Sequence, residues 1–432
     1  MDRPNLGFVL FLGLLLIAPE IPAAQLSPSV NASVSLAAAG LVVWLMLAPR
    51  LPLRVVLAMP TVLGLIGFSI YVLLVSLASG RLVSIAYASQ YAFYAVLAGT
   101  IIPAYLVHKM RQGRQTEVWR ILAWVGAIYV GGIILSVWTG PIYPSRVESI
   151  SKHYGHFVIP RAFGFSESVN AAGGIAALLA AFYLFLYRSS RRLSIVLPGL
   201  SVAALVLTLS RSAIAAFALA ICVVAAILAF RAVCLRGRLG SLRLRLVPVA
   251  LVLLGIVAGV VTYQQPIVAA AWERLVLDEG TVNQDVDIRL AHWKNGIARW
   301  TDQPLVQQVV GAGFRSAPVG RGGVLLTSHN VYIEMLNDLG IIGLLIFLGI
   351  LMVALMRLTR LILLDSNNNL AKFSLVGLII LILHNHTQVF FYEITIAVFL
   401  ILLLTCGELA EGAAHYRHHV RGADRVRGHQ SA

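Results

Sequence analysis

The sequence predicts an all-α membrane protein that crosses the bilayer about twelve times. Of its 432 residues, 59% are hydrophobic and only 12% are charged, whereas an ordinary soluble domain has roughly 25% charged residues. The apolar residues fall into runs of roughly 15 to 24, the length that a membrane-spanning helix needs. Backbone groups in lipid must be paired within their own segment, so such runs favour helices over the shorter, alternating strands of a barrel.

The apolar runs predict twelve spans in chain order. They lie at residues 6–23, 32–48, 55–78, 84–106, 121–139, 169–187, 195–209, 212–230, 246–264, 338–356, 373–391 and 394–408. The start of the sequence, with Arg3, an apolar stretch to Ala18 and then Pro22, Ala23 and Ala24, also resembles a cleaved signal peptide. We prefer a retained first span, and cleavage would leave eleven helices with the same sidedness downstream.

The basic residues predict the orientation of these spans. The 33 Lys and Arg residues outnumber the 18 Asp and Glu residues and leave a net charge of +15. The basic residues form short clusters between apolar runs, which is a sign of membrane topology and not of nucleic-acid binding. The side that holds both predicted termini carries 22 of the 33 Lys and Arg residues. By the positive-inside rule this side is cytoplasmic, so the remaining loops face the extracytoplasmic compartment.

The longest polar interruption, residues 265–337, is predicted to be a folded helical cap outside the membrane, between the ninth and tenth spans. Loops longer than about 15 residues are usually functional or disordered, and this one keeps tryptophans, helical periodicity and glycine turns. The predicted organisation is therefore spans 1–9 in 1–264, the cap in 265–337, spans 10–12 in 338–408 and a cytoplasmic tail in 409–432.

Within the cap, a helix is predicted where apolar residues recur at steps of three and four, at Leu290, Trp293, Ile297 and Trp300. This stripe would face the bundle or the lipid surface. Arg289 lies at its edge, where a guanidinium can bind a lipid phosphate bidentately or can simply snorkel to the membrane surface.

Two further segments of the cap could carry chemistry. The glycine-rich segment from Gly311 to Arg315 could turn backbone N–H groups toward an anion, although a plain turn explains it as well. His329 follows Ser328 and precedes Asn330, and either neighbour could be a helix N-cap. An imidazole there could take a proton from a hydroxyl or have a purely structural role.

Arg211 lies in a very short turn between two apolar runs. A charge so close to hydrocarbon is costly, and it therefore suggests a bound anion or a counter-charge. The loop 140–168 adds several basic residues, including Arg161, and leads to Asn170 at the start of the sixth span. Together these residues predict a basic mouth that attracts anionic substrates.

Four segments, in their order along the chain, resemble the O-antigen ligase and O-antigen polymerase superfamily. They are Arg161–Gly164 with the residues up to Asn170, then Arg211, then Arg289–Trp293, and finally Gly311–Gly313 with the later His329–Gly340. The resemblance covers roughly residues 155–345. Many relatives carry proline before the asparagine matched to Asn170, whereas Val169 stands here.

The resemblance implies an inverting glycosyltransferase that uses an undecaprenyl-diphosphate-linked O-antigen glycan, without a nucleotide sugar, metal or other cofactor. It implies that Arg211 and Arg289 hold the diphosphate and that His329 is the general base, with His292 as a competing candidate. Further substrate-binding residues are predicted on these motifs, namely Arg161, Asn170, His292, Trp293, Arg315, Asn330 and Tyr332.

These expectations place the protein in the bacterial inner membrane, with both termini cytoplasmic and a periplasmic active site. The favoured acceptor is lipid A-core, as for an O-antigen ligase in lipopolysaccharide biosynthesis. A growing glycan would make the protein a polymerase, and a protein side chain would make it an oligosaccharyltransferase. A secondary transporter or lipid flippase is the non-enzymatic alternative, but such proteins usually show internal repeats and charges at the membrane midplane.

Overall fold

The computed structural model describes residues 20–27, 30–35, 53–139, 152–154, 157–159, 162, 169–187, 192–236, 279–316, 328–385 and 396–412. Most of these residues are helical. After a 3-10 turn at Leu53–Ala58, the helices in chain order are α1 (Pro60–Ser79), α2 (Leu82–Arg111), α3 (Gln115–Thr139), α4 (Val169–Phe185), α5 (Leu193–Leu207), α6 (Arg211–Arg236), α7 (Glu279–Thr301), α8 (Leu305–Val310), α9 (Val331–Leu364), α10 (Asn369–His384) and α11 (396–412).

Among the described helices, five are long and apolar enough to cross a membrane: α1, α2, α3, most of α6, and α9. Three shorter apolar helices, α4, α5 and α10, accompany them. The predicted spans from 55–78 to 212–230, and the span 338–356, fall on described helices. The spans 373–391 and 394–408 fall on α10 and α11 except for residues 386–391 and 394–395, which lie outside the described residues. The predicted span 246–264 lies outside the described residues.

Two short hairpins depart from the predicted all-α class. Strand β1 (Glu20–Ser27) pairs antiparallel with β2 (Val30–Ser35), so residues 20–23 and 32–35 are extended where helices were predicted. The rest of the predicted spans 6–23 and 32–48 lies outside the described residues. Polar residues alternate with Val30, Ala32 and Val34, which is the pattern of a strand and is hidden when hydropathy is averaged over a longer run. A second hairpin, β3 (Lys152–Tyr154) with β4 (Phe157–Ile159), lies in the predicted outer loop 140–168.

Helix α4 lies at the centre of the bundle, and small residues allow its neighbours to approach closely. Every residue from Ala171 to Tyr183 is buried. A Cβ added at Gly173 would lie 2.8 Å from Cβ of Ser210, and one added at Gly126 would lie 2.7 Å from the Leu179 side chain. Helix pairs in membranes commonly use small residues in this way.

Polar contacts join several helix ends at one end of the bundle. The Thr61 backbone N–H donates to Oε1 of Glu408 at 3.0 Å, and Arg357 pairs with the same carboxylate at 3.3 Å. Arg231, near the end of α6, donates to the Leu364 carbonyl at 2.9 Å. The charge pattern predicts that Arg231 and Arg357 lie on one side of the membrane, and both of these residues make their contacts near the C-terminal end of α9 or from within it.

The described part of the cap packs against α9. Gly340 interrupts α9 with φ 66°, ψ −174°, which confirms the break predicted from the sequence. A Cβ at Gly340 would lie 2.3 Å from the Val309 carbonyl oxygen. The Tyr71 hydroxyl donates to the carbonyls of Val310 and Leu339, at 2.9 and 3.0 Å. Close packing and the Tyr71 hydrogen bonds therefore hold the C-terminal end of α8 against the bend in α9.

Candidate active site

The start of α9 holds His329 in an unusual backbone conformation. Asn330 is the N-cap, because its Oδ1 accepts from the N–H groups of Tyr332 and Ile333, at 3.0 and 3.3 Å. This contact confirms one of the two predicted caps. His329 has φ 53°, a left-handed conformation that non-glycine residues seldom adopt and that is often found at functional sites.

His292 of α7 faces His329 across the gap between the cap and α9. The two imidazole rings lie edge to face, with their centroids 5.3 Å apart and an interplanar angle of 86°. Both candidates for the general base therefore lie at the same place in the structure. The sequence predicted that they compete for one role, and the structure makes them neighbours.

The electrostatic surroundings of His329 favour the neutral imidazole that a general base requires. His329 is exposed at the protein surface, but the surrounding protein partly shields its ring from water. This desolvation lowers the pKa of His329 below 6.5, and the charges of His292 and Arg289 lower it further, with Glu334 acting in the opposite direction. The imidazole is thus available to accept a proton at neutral pH.

Arg289 lies one helical turn before His292 on α7 and is half-buried. Its positive charge acts on His329 and also on His384 at the end of α10. The predicted apolar stripe is divided in the structure, because Leu290 and Ile297 are exposed while the side bearing His292 and Gly296 packs toward α9. Arg289 therefore lies near the imidazoles and not on the outer face of the cap.

A buried network fixes α7 against α9, and the sequence analysis did not identify it. Arg299 donates to Oε2 of Glu334 at 2.8 Å and to Oδ1 of Asn337 at 2.9 Å. The Asn337 amide donates in turn to the Gly296 carbonyl at 2.9 Å. The other carboxylate oxygen of Glu334 accepts from the Ser328 backbone N–H. One acidic side chain thus ties the cap helix to the segment that carries His329.

Arg211 begins α6 directly after a strained turn. Leu209 has φ 51°, and the Ser210 carbonyl accepts the first helical hydrogen bond from Ile214 at 3.0 Å. The guanidinium is half-buried, and within the described residues it has no hydrogen-bond or ion-pair partner. An arginine beside the free N–H groups of a first helical turn is suited to bind an anion.

His384 connects the start of α6 to the start of α4. Its Nε2 lies 2.9 Å from the Asn170 carbonyl oxygen, and its Nδ1 lies 3.1 Å from Oγ of Ser212. Ser210 donates to Oδ1 of Asn170 at 2.9 Å. The sequence analysis missed His384, although a histidine within a predicted span is a signal that could have identified it.

The end of α10 also meets the start of α9. The Val331 N–H donates to the Asn385 carbonyl at 3.0 Å, and the Tyr332 hydroxyl donates to the Ile382 carbonyl at 2.9 Å. The N-termini of α4, α6 and α9 therefore gather at one end of the bundle. Each N-terminus contributes partial positive charge, which adds to that of Arg211 and Arg289 and makes this end attractive to an anion.

The remaining predicted binding residues have varied surroundings. Asn330 and Tyr332 make the contacts given above, and Asn170 joins three helices. Trp293 is half-buried, and its indole N–H has no hydrogen-bond acceptor among the described residues. The Arg315 guanidinium lies over the Tyr87 ring, 4.4 Å from its centroid. Arg161 lies outside the described residues.

The glycine-rich segment forms a turn whose backbone N–H groups already donate hydrogen bonds to other protein groups. The N–H groups of Arg315 and Ser316 donate to the two carboxylate oxygens of Asp338, at 2.8 and 2.9 Å. The N–H of Gly313 donates to the Asp338 carbonyl at 2.9 Å, and that of Phe314 to the Ser76 hydroxyl at 3.0 Å. These contacts favour the plain-turn interpretation over an anion cradle. In the described residues, no three His, Cys, Asp or Glu side chains are grouped to share a metal ion.

Comparison with known proteins adds one finding about this region. Residues 196–348 match a family model described as O-antigen ligase. The match contains Arg211, Arg289 and His329, and it supports the resemblance to the O-antigen ligase and polymerase superfamily. It does not distinguish ligases from polymerases. No curated protein matches the chain.

Proposed function

We propose that this chain, which carries the match to the O-antigen ligase family, is an inverting, metal-independent membrane glycosyltransferase. In this proposal it moves an O-antigen glycan from undecaprenyl diphosphate to a sugar hydroxyl of lipid A-core. The family match supports the broader class, an O-antigen ligase or polymerase type of membrane glycosyltransferase. The donor, the acceptor and the residue roles are part of this proposal.

The observation that carries the proposal is the arrangement of His329, His292 and Arg289 across the contact between α7 and α9. The imidazole of His329 is favoured in its neutral form, and a cationic side chain lies one turn from its partner ring. Arg211 starts a helix at the same end of the bundle. A base beside cationic groups suits a reaction in which a hydroxyl loses a proton and a diphosphate departs.

The proposed reaction is a single displacement. His329 accepts the proton of the acceptor hydroxyl while that oxygen forms a bond to the anomeric carbon of the donor glycan. The bond between the anomeric carbon and the diphosphate oxygen breaks, and undecaprenyl diphosphate keeps the electron pair. Attack from the face opposite the leaving group inverts the anomeric configuration, so no covalent glycosyl intermediate on the protein is needed.

In this mechanism Arg211 and Arg289 stabilise the leaving diphosphate. Negative charge grows on its oxygens as the glycosidic bond breaks, and fixed guanidinium groups favour that charged state over the ground state. Free N–H groups at the start of α6 would add to the effect. The arginines would thus supply the electrostatic stabilisation that a divalent cation supplies in other glycosyltransferases.

We place the site on the periplasmic face of a bacterial inner membrane, with both termini cytoplasmic. The predicted excess of Lys and Arg on the opposite side supports this orientation. Undecaprenyl-linked donor and lipid A-core acceptor would both reach the site from the membrane, because each carries its own lipid anchor.

Reconstitution tests the proposal directly. The purified protein would be placed in liposomes with an undecaprenyl-diphosphate glycan, lipid A-core and EDTA, and the products separated by gel electrophoresis. A ladder of glycan on lipid A-core is the expected result. Longer lipid-linked glycan would identify a polymerase, and glycan on added protein an oligosaccharyltransferase. No transfer to any acceptor would contradict the enzyme and favour the transporter.

A further inference from the structure

We propose that His384 is a positioning residue that holds Arg211 at the site through Ser212 and Asn170. The inference rests on the proposed function, because it concerns how the donor diphosphate meets Arg211. It adds a role for a histidine that belongs to none of the motifs found in the sequence.

Both ring nitrogens of His384 are engaged, and the side chain is fully buried. A carbonyl oxygen can only accept, so the 2.9 Å contact to the Asn170 carbonyl requires a proton on Nε2. In a neutral ring, Nδ1 then accepts from the Ser212 hydroxyl at 3.1 Å. The ring therefore joins α10 to α4 through one nitrogen and to α6 through the other.

The position of Arg211 depends on these contacts because its own side chain has no protein partner among the described residues. Two side-chain contacts fix the turn that carries it. Ser210, on one side of Arg211, donates to Oδ1 of Asn170 at 2.9 Å, and Ser212, on the other side, contacts His384. Both contacts lead to the Asn170–His384 pair.

The surrounding packing leaves the turn little room to move as a rigid unit. A Cβ added at Gly173 of α4 would lie 2.8 Å from Cβ of Ser210 and 3.0 Å from Cβ of Ala213. Because of this close packing, losing the His384 contact would leave the bundle intact and would allow only a small local shift of the first turn of α6. The guanidinium, at the end of a long side chain, would be displaced the most.

His384 also lies between the two halves of the site. The next residue, Asn385, accepts from the Val331 N–H at the start of α9, two residues after His329. The charge of Arg289 acts on the His384 ring as well. The end of α10 thus contacts the start of α6 through His384 and the start of α9 through Asn385.

Three substitutions test this role in the full-length protein in lipid nanodiscs. His384→Gln keeps an amide that can donate toward the Asn170 carbonyl but lacks the group that faces Ser212. Ser212→Ala removes the same contact from the other partner with a smaller change. Ser201→Ala is the matched control, because this buried serine of α5 donates at 3.0 Å to the Leu197 carbonyl of its own helix.

The measurements are the affinity for undecaprenyl diphosphate and the separate kcat and KM values for glycan transfer. His384→Gln and Ser212→Ala should each weaken binding by about fivefold, the effect of one lost hydrogen bond. The double variant should resemble either single variant, and Ser201→Ala should match the unmodified protein. In an Arg211→Ala background, His384→Gln should cause no further loss of affinity.

Two results would overturn the inference, in different ways. Equal weakening by His384→Gln with and without Arg211 would show that His384 acts independently of this arginine, and would leave the proposed function in place. Failure of the unmodified protein to bind undecaprenyl diphosphate would contradict the proposed function and this inference together. Thermal unfolding of each variant identifies any loss that comes from misfolding, and Ser212→Ala then decides the question if His384→Gln does not fold.

Discussion

The imidazole rings of His292 and His329 lie edge to face, with their centroids 5.3 Å apart, on a cap helix and at the start of a membrane helix. A positive charge on His292 disfavours protonation of His329 and lowers the pKa of His329, since like charges repel. An experiment can therefore distinguish the two histidines. Loss of the general base should abolish glycan transfer, whereas loss of its neighbour should only change the pH dependence of transfer.

We predict that His329→Ala lowers kcat by about 10²- to 10⁴-fold, the usual contribution of a general base. His292→Gln should keep activity but change its pH profile. Transfer requires neutral His329, so kcat/KM falls as the pH drops through its pKa. Removing the His292 charge removes one cause that lowers this pKa, and the acidic limb should therefore move to higher pH.

The pH profile of kcat/KM checks this prediction, with Lys294→Gln as a control for charge on the same helix. Lys294 is exposed on α7 and should leave the acidic limb in place. Loss of all activity in His292→Gln, together with active His329→Ala, would assign the base to His292.

We predict that Arg211→Ala and Arg289→Ala each reduce transfer by at least about 10²-fold, since each removes a fixed charge from the leaving diphosphate. Arg289→Lys should also fail if the guanidinium binds two phosphate oxygens at once, because an ammonium cannot reproduce that planar geometry. Glycan transfer in liposomes is the measurement. Arg360→Ala, an exposed arginine in the last turns of α9, should retain activity. Full activity of Arg289→Lys would indicate simple charge attraction.

We predict that Arg299→Met loosens the cap from α9. Glu334 is only 1% exposed, and breaking a buried ion pair from one side costs about 3–5 kcal/mol because a buried charge is left without its partner. Hydrogen exchange should increase across Gly296–Arg299 and around Ser328, while α1 and α2 stay protected. The double variant Arg299→Met with Glu334→Gln should recover part of the loss. Unchanged hydrogen exchange in Arg299→Met would show that the Arg299–Glu334 pair does not hold the cap against α9.

Local patterns predicted much of the helical bundle. Apolar runs identified α1 to α6 and α9 to α11, the Asn330 cap followed from its residue type, and Gly340 marked a real break. The β1–β2 hairpin was missed because its alternation occupies only a few residues between longer apolar runs. Each of these sequence signals, including the missed alternation, lies within one helical turn or one strand of the structural feature concerned.

Contacts between distant segments could not be predicted in the same way. His384 meets Ser212 and Asn170 across 172 and 214 residues of chain, and Arg299 meets Glu334 only after the cap has folded onto α9. The periodicity of apolar residues along the sequence carries no information about such long-range contacts. Arg211, Arg289 and His329 could each be chosen as candidates from the sequence, but the residues that contact and position them can be seen only in the structure.

We predict that α8 contacts the lipid surface. Leu305 and Val306 are 74% and 72% exposed, and α8 is fastened where α9 bends at Gly340, beside the apolar surface of α9. A nitroxide label at position 306 should be accessible to oxygen and shielded from a water-soluble nickel complex in electron paramagnetic resonance. A label at Asp302, in the polar turn before α8, should show the reverse. Nickel accessibility at both positions would contradict lipid contact.

Finally, we predict opposite effects for two glycines of α9. Gly340 has φ 66°, and an added Cβ would lie 2.3 Å from the Val309 carbonyl oxygen. Gly340→Ala should therefore destabilise the protein by about 1–3 kcal/mol from the backbone conformation, with a further loss from overpacking against α8. Gly349 has no neighbour within 4 Å of an added Cβ, so Gly349→Ala should be neutral or stabilise the helix by about 0.5–1 kcal/mol. Thermal unfolding in detergent measures both, and the same loss of stability in the two variants would mean that the bend at Gly340 does not depend on glycine.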